Sequence, residues 1–300
     1  MPAKLPEIHF DWNLFQATLS EELDSELNFS AVEAVKGGDT SRGFKVSTEQ
    51  ADFFVKLNRV DAEEMFRTEW AGLAELRAVA GLRVPGPIFV GSTQNAAFFV
   101  MEYIPLLPKL DQTAAGSAIA NLHSITHNQY GWERNNFLGS NIQQNGWHQN
   151  WSEFYWNCRL EPQLVKAAES GFHLLEQAIE PLREKSNTLL AEHQPTPALL
   201  HGDLWHGNIA SADDSQVVVY DPAVYWGDPE TDIAMTKMFG GFDEAFEEAY
   251  SVRFSESEGQ AERLPLYQLY HWLNHLNLFG QSYLDPTLTC ISQLYETASE

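Results

Sequence analysis

The sequence predicts an α+β fold of two lobes, an N-terminal five-stranded antiparallel sheet lobe over residues 1–103 and a mostly helical lobe over residues 104–300. Three observations carry this. Alternating and β-branched runs crowd between Phe29 and Tyr103, whereas 3.6-residue periodicities dominate from Thr113 onward. Two short apolar runs, ALL at 198–200 and VVVY at 217–220, bracket a loop with acids at its edges. With 300 residues and 44% hydrophobic content, the chain can bury the core that one large domain or two lobes require.

In order, Ile8 to Ser20 patterns as a short amphipathic helix with Phe10, Leu14 and Phe15 on one side. Strands are expected at Ser30–Val35, Gly43–Ser47 and Phe53–Leu57. In the first turn, Gly37, Gly38 and Gly43 would let the backbone approach a phosphate closely, although glycines in a hairpin turn need no ligand. The third strand, FFVKLN, carries Lys56 as its only basic residue. A helix over Ala62–Val79 would present Met65, Phe66, Trp70, Leu73 and Leu76 to a core, with Glu69 beside Trp70. A strand lysine and a helix glutamate in this order match the pair that secures the α/β-phosphates in ATP-dependent phosphoryl transfer. Glu63 and Glu64 are rival partners, disfavoured because acids at a helix start serve its dipole. Beyond Pro85 and Pro87, IFVGS and AAFFVMEYI supply two more strands. The second ends at Met101, Glu102 and Tyr103, where backbone groups of Glu102 and Tyr103 could hold adenine or the strand could simply end.

In the second lobe, Thr113 to His127 reads as a small-residue helix, with His123 a core or capping residue rather than a catalyst. Tyr130 to Gln163 is dense in Asn, Gln and Trp, residues that bind sugars by stacking and multiple hydrogen bonds but that also pin a connecting loop. Helices at Phe154–Ser170 and Leu174–His193 are scaffold. The loop HGDLWHGN follows: Asp203 would orient the attacking hydroxyl and take its proton, while Asn208 and Asp221 offer Mg²⁺ the hard oxygens it prefers. A hairpin through Asp213, Asp214 and Ser215 would set their separation. A hairpin with merely solvated acids is the rival at any one position, and the joint spacing outweighs it. Downstream, Asp232 could cap the following helix or brace the catalytic loop, with Asp228 facing substrate. Leu266 to Gly280 is apolar and helical and closes the lobe.

The net charge of −24, with only 18 basic residues, argues against a nucleic-acid surface and suits solubility or a cationic substrate. Cys158 and Cys290 lie far apart without metal-ligand spacing, and the chain opens without a signal-type leader, so a cytoplasmic location is expected. No apolar run approaches the ~20 residues that span a bilayer, so no membrane partner is expected.

The string HGDxxxxN, then a strand, then DPA, resembles the HRDxxxxN and DFG strings of protein kinases, with Gly202 in place of the arginine. Over nearly its whole length the chain resembles the fructosamine/ketosamine-3-kinase family, within the aminoglycoside-phosphotransferase and choline-kinase group of protein-kinase-like folds. The likeness rests on LLHGDLWHGN (Leu199 to Asn208), DPAVYWGDPETDIAMTKMFGGF (Asp221 to Phe242) and WERNNFLGSNIQQNGWHQNWSEFYWNCRLEPQ (Trp132 to Gln163). Where family members commonly carry a GGxxN-type hairpin, often with a cysteine, this chain has GGDTSRG with Asp39. The resemblance implies ATP-dependent phosphorylation of the sugar O3 of ketosamines, the glycation products of amines including protein lysines. It implies ATP and Mg²⁺, Asp203 as proton acceptor, Asn208 and Asp221 as metal ligands, and Lys56 with Glu69 on the phosphates. Trp205, His206 and Asp228 are the candidates on the substrate side. An aminoglycoside- or choline-type kinase and a nucleotide-binding pseudokinase are the alternatives.

Overall fold

A computed structural model describes residue 8 and residues 10–35, 40–212 and 216–296. Gly37, Gly38, Asp39, Asp213, Asp214 and Ser215 lie outside the described residues.

The first helix, α1 (Trp12–Glu22), starts later than the apolar pattern suggests because the Asp11 carboxylate accepts from the Asn13 and Leu14 amides and fixes the N-terminus there. Then come β1 (Phe29–Val35), β2 (Arg42–Thr48), β3 (Asp52–Asn58), α2 (Glu63–Leu76), β4 (Leu82–Arg83), β5 (Pro87–Ser92) and β6 (Ala97–Glu102). The five longer strands form the expected antiparallel sheet, in the order β1-β2-β3-β6-β5. Both faces of its centre are covered, which is why β3 and β6 read as almost continuous apolar runs. Phe53, Val55 and Leu57 pack with Phe15 and Leu19 of α1. Phe99 belongs with Phe66 and Leu73 of α2 to the main core, and Lys56 pairs in register with Phe99. Period-two alternation therefore places the Lys56 side chain on the α2 face.

The rest of the chain contains α3 (Gln112–His123), β7 (Tyr130–Trp132), β8 (Asn136–Leu138), β9 (Asn141–Gln143), β10 (Gly146–His148), α4 (Trp151–Tyr155), α5 (Glu161–Glu169) and α6 (His173–Leu190). It continues with β11 (Ala198–Leu200), β12 (Ile209–Ser211), β13 (Val217–Val219), β14 (Tyr225–Gly227), α7 (Pro229–Thr236), α8 (Glu244–Ser251), α9 (Gln260–Phe279) and α10 (Leu284–Glu296). α3 stops at His123 rather than His127 because Thr126 bridges to Ala198 and the His127 amide donates to the Pro197 carbonyl. The helix expected to begin at Phe154 begins at Trp151, where Asn150 caps it, and a π-type turn over Trp156–Leu160 divides it.

The two apolar runs around HGDLWHGN do not pair with each other. β11 pairs with β14 in a sheet ordered β10-β7-β14-β11, while β13 pairs with β12 and, in parallel, with β4. The loop HGDLWHGN thus leaves one small sheet and enters another, and Asp221 follows the strand β13 of the second. Cys158 and Cys290 are buried and unpaired. Among the described residues no helix is long and apolar enough to cross a membrane.

Candidate active site

Lys56 is where the two lobes meet. Its Nζ lies 2.6 Å from Glu69 Oε1 on α2 and 2.5 Å from Asp221 Oδ1 beyond β13. Burial pulls the ammonium toward neutrality, but Asp221 and Glu69 together outweigh it and hold Lys56 above the ordinary lysine value. Burial also pushes the Glu69 carboxyl up, with Lys56 pulling against it. Glu63 and Glu64 are not the partners; Glu63 instead binds Arg67 and Ser92 at the surface.

The loop after β11 is stitched to Asp221 through His201. Its Nε2 donates to the Tyr220 carbonyl at 3.0 Å, so its Nδ1 is the acceptor, 3.3 Å from the Asp203 amide. Burial lowers the His201 pKa, in keeping with this neutral form. Asp232 braces the same turn by accepting from the His201 amide at 2.8 Å and the Gly202 amide at 2.9 Å, and it also faces His123 Nε2 at 3.2 Å. Burial opposes its ionisation, but His123, His201 and the Gly202 amide outweigh that and hold its carboxyl below the usual range. Asp232 is therefore the brace, and the helix cap falls to Asp228.

Asn208 Nδ2 donates to the Asp203 carbonyl at 2.9 Å and to Asp203 Oδ2 at 3.0 Å, so the amide group is consumed and Oδ1 is the Asn208 atom left for a cation. Asp203 is pushed up to about 8, first by burial and then by the Asp221 charge, against the Asn208 bond that lowers it. Lys56, Glu69, Asp203, Asn208 and Asp221 all line one cleft of about 520 Å³, which Met101, Glu102, Tyr103 and Trp205 also line.

Within this strip, the Glu102 amide donates to the Gly86 carbonyl at 2.8 Å and the Tyr103 amide to the Asp52 carbonyl at 3.4 Å. Both amides are thus engaged by the sheet, and Ile104, the next residue, also lines the cleft. The glycines of the first turn, Gly37 and Gly38, lie outside the described residues.

Two expected substrate residues are not on the cleft wall. Asp228 is 2% exposed; it caps α7 and accepts from His193 Nε2 and Tyr267 Oη, both at 2.6 Å. His206 is exposed and packs its ring base on Gly241, with its ring edge-on to Trp205. Much of the amide-rich stretch is also spent internally. Asn136 Nδ2 donates to the Val224 carbonyl, and Gln143 Nε2 donates to the Ala223 carbonyl and to Asn136 Oδ1. These side chains hold the backbone that follows Asp221 rather than a ligand. Of β8 and its turn, Asn136, Phe137, Leu138 and Gly139 reach the cleft wall. Sequence reading missed the opposing wall, Asn274, His275, Leu278 and Phe279 of α9, because nothing local ties that helix to a loop some seventy residues earlier.

The family model for fructosamine kinase matches residues 11–297. A protein named as a probable ketoamine kinase in Vibrio parahaemolyticus is 36% identical over 287 residues, covering 94% of this chain and 99% of that one. The ketosamine-3-kinase of Mus musculus is 32% identical, covering 91% and 98%. Among solved structures, a provisionally assigned fructosamine-3-kinase from Haemophilus somnus 129PT superposes with a TM-score of 0.87 at 30% identity, covering 94% of this chain and 97% of that one. A ternary complex of an aminoglycoside phosphotransferase, APH(4)-Ia, with ADP and hygromycin B has a TM-score of 0.56 at 17% identity, covering 95% and 99%; it shares the fold.

Proposed function

The chain belongs to the fructosamine kinase family, whose members are phosphotransferases with an alcohol acceptor, and from that premise we propose that it transfers the γ-phosphoryl group of ATP to the 3-hydroxyl of a ketosamine. The observation that carries this reading is the convergence of Asp203, Asn208, Asp221, Lys56 and Glu69 on one cleft.

Asp203 takes the proton of the acceptor hydroxyl as its oxygen attacks the γ-phosphorus and the bond to the β-phosphate oxygen breaks, releasing ADP. Asn208 fixes the direction of the Asp203 carboxylate toward the acceptor hydroxyl. Lys56, held by Glu69, exchanges Asp221 for phosphate oxygens. Trp205 and the α9 wall seat the sugar.

The residues fit a magnesium ion: Asn208 Oδ1 and the Asp221 carboxylate are hard oxygen donors, and the cleft wall sets one lysine against the carboxylates of Glu69, Glu102, Asp203 and Asp221 among the described residues. Bound there, Mg²⁺ would neutralise the phosphate charge that this wall would otherwise repel. We place the lobe boundary after Tyr103, assign the cell's cytoplasm as the site of action, and read the physiological role as repair of glycated amines.

Incubation with Mg-ATP and a panel of fructosamine, ribulosamine, aminoglycoside and choline tests the substrate, with turnover expected on the first two. Turnover confined to aminoglycoside or choline overturns it. Asp203→Asn should lose about 10²- to 10⁴-fold in kcat while nucleotide binding is kept. Unchanged phosphorylation by that variant removes Asp203 from the chemistry.

A further inference from the structure

Behind the α9 wall of the cleft runs a line of polar side chains that ends in an unfilled donor. Lys166 on α5 donates to Asn141 Oδ1, and Asn141 Nδ2 donates to Asn274 Oδ1 at 2.7 Å. Gln163 Nε2 adds a second bond to the same Asn274 oxygen at 3.3 Å. Asn274 is 3% exposed, yet it lines the cleft. Among the described residues its Nδ2 makes no hydrogen bond to the protein, both bonds of the side chain falling on Oδ1.

The polarity of this line follows from its outer end. An ammonium has three donors and no acceptor, so Lys166 holds the Asn141 oxygen toward itself and turns the Asn141 NH₂ inward. That NH₂ requires an acceptor, which Asn274 Oδ1 supplies. Gln163 reinforces this, since its Oε1 accepts from Asn277 Nδ2 at 2.7 Å and its own NH₂ must therefore donate to Asn274. Asn274, which lines the cleft, is left with its NH₂ unengaged by the protein, and a flip of the amide would set donors against donors at two contacts. A donor that no protein group engages is free to bond a ligand acceptor.

Resting on the ketosamine-kinase reading, we propose that Asn274 reads the acceptor sugar, its Nδ2 donating to a ketose oxygen, and that Lys166 is a positioning residue that keeps this polarity through Asn141. At Asn274 the wall offers a donor, which pairs with a carbonyl or hydroxyl lone pair. It rejects an ammonium or amide N–H at the same place, which separates an oxygen-bearing ketose from an amino sugar.

Steady-state kinetics with Mg-ATP and a ketosamine, on variants whose thermal midpoints match the parent, test the assignment. Asn274→Asp should raise the ketosamine KM about tenfold with the ATP KM within about twofold. Lys166→Met, distant from the cleft, should raise it about threefold, and Lys166→Arg, which also only donates, should restore it. If Asn274→Asp fails to fold, the Lys166 pair decides. Folded variants with an unchanged ketosamine KM overturn the proposal, as does an equal rise in both KM values or no difference between Lys166→Met and Lys166→Arg. A parent enzyme that turns over no ketosamine removes the substrate reading and this proposal together. A parent that does, beside unaffected variants, removes this proposal alone.

Discussion

Between His201 and Asp203 the backbone turns through φ +80°, and a Cβ there would lie 2.0 Å from the Ala223 carbonyl oxygen. Only glycine passes, which explains why Gly202 stands where the protein-kinase string has arginine. Close packing of this kind leaves no trace beyond the residue itself, so the sequence registers a departure without its reason. His271 on α9 is similar: nothing in LYHWLNHL marks it, yet it is 4% exposed and its Nδ1 has no hydrogen-bond partner among the described residues. Burial, then neighbouring His275, lowers its pKa to about 3. Between that value and the unfolded value near 6.5 the unfolded chain binds a proton that the folded chain does not. The contribution of His271 is therefore fully present above about pH 6.5 and is lost as pH falls toward 3. Between pH 7 and pH 5 the parent should lose about 2 kcal/mol more stability than His271→Phe. Denaturant melts of both proteins at the two pH values check this, and parallel losses would refute it.

At the scale of elements, the five-stranded sheet and α2 were legible because their burial is periodic and their Lys56–Glu69 pair falls within thirteen residues. Of the three-residue strands, β11 and β13 were legible as the apolar runs at 198–200 and 217–220, but their pairing with β14 and β4 was not, since each is too short for a period and those partners lie across crossovers. The same limit hid the use of the amides: a glutamine that holds the Ala223 carbonyl and one that binds a sugar have the same letter. It also misassigned Asp228, which sits one turn from the residue that matters, Asp232. α7 presses Asp232 onto two successive backbone amides of the loop that carries Asp203, so the position of the helix is the position of Asp203. In Asp232→Asn one of those amides loses its acceptor, at a cost of about 1–3 kcal/mol in stability. The loosened loop should lower kcat about 10- to 100-fold, because small misplacements of a positioned base are expensive, with ATP affinity within about twofold. Isothermal titration with nucleotide beside kcat measurement checks the split; an unaltered kcat would show that the helix does not set the loop.

For the whole molecule, the charge of −24 surrounds a cleft whose wall is itself rich in carboxylates. Several basic side chains are already paired with acids, including Lys45 with Asp52, Arg67 with Glu63, Arg183 with Glu161 and Arg263 with Glu230, so they do little to offset that field at a distance. The two substrates of the proposed reaction carry opposite signs: a ketosamine amine is a cation near neutral pH, whereas the nucleotide remains an anion even with its metal. The field should draw in the first and resist the second. Raising ionic strength from about 10 mM to about 100 mM shortens the screening length from ~30 to ~10 Å. Over that range kcat/KM for a cationic ketosamine should fall about two- to fivefold while kcat/KM for Mg-ATP rises, with kcat nearly constant because contacts inside the cleft are screened far less. A neutral N-acylated ketosamine analogue serves as the control, since its salt dependence should be flat. Equal salt effects on the cationic and neutral acceptors would mean that the acidity of this chain serves solubility alone.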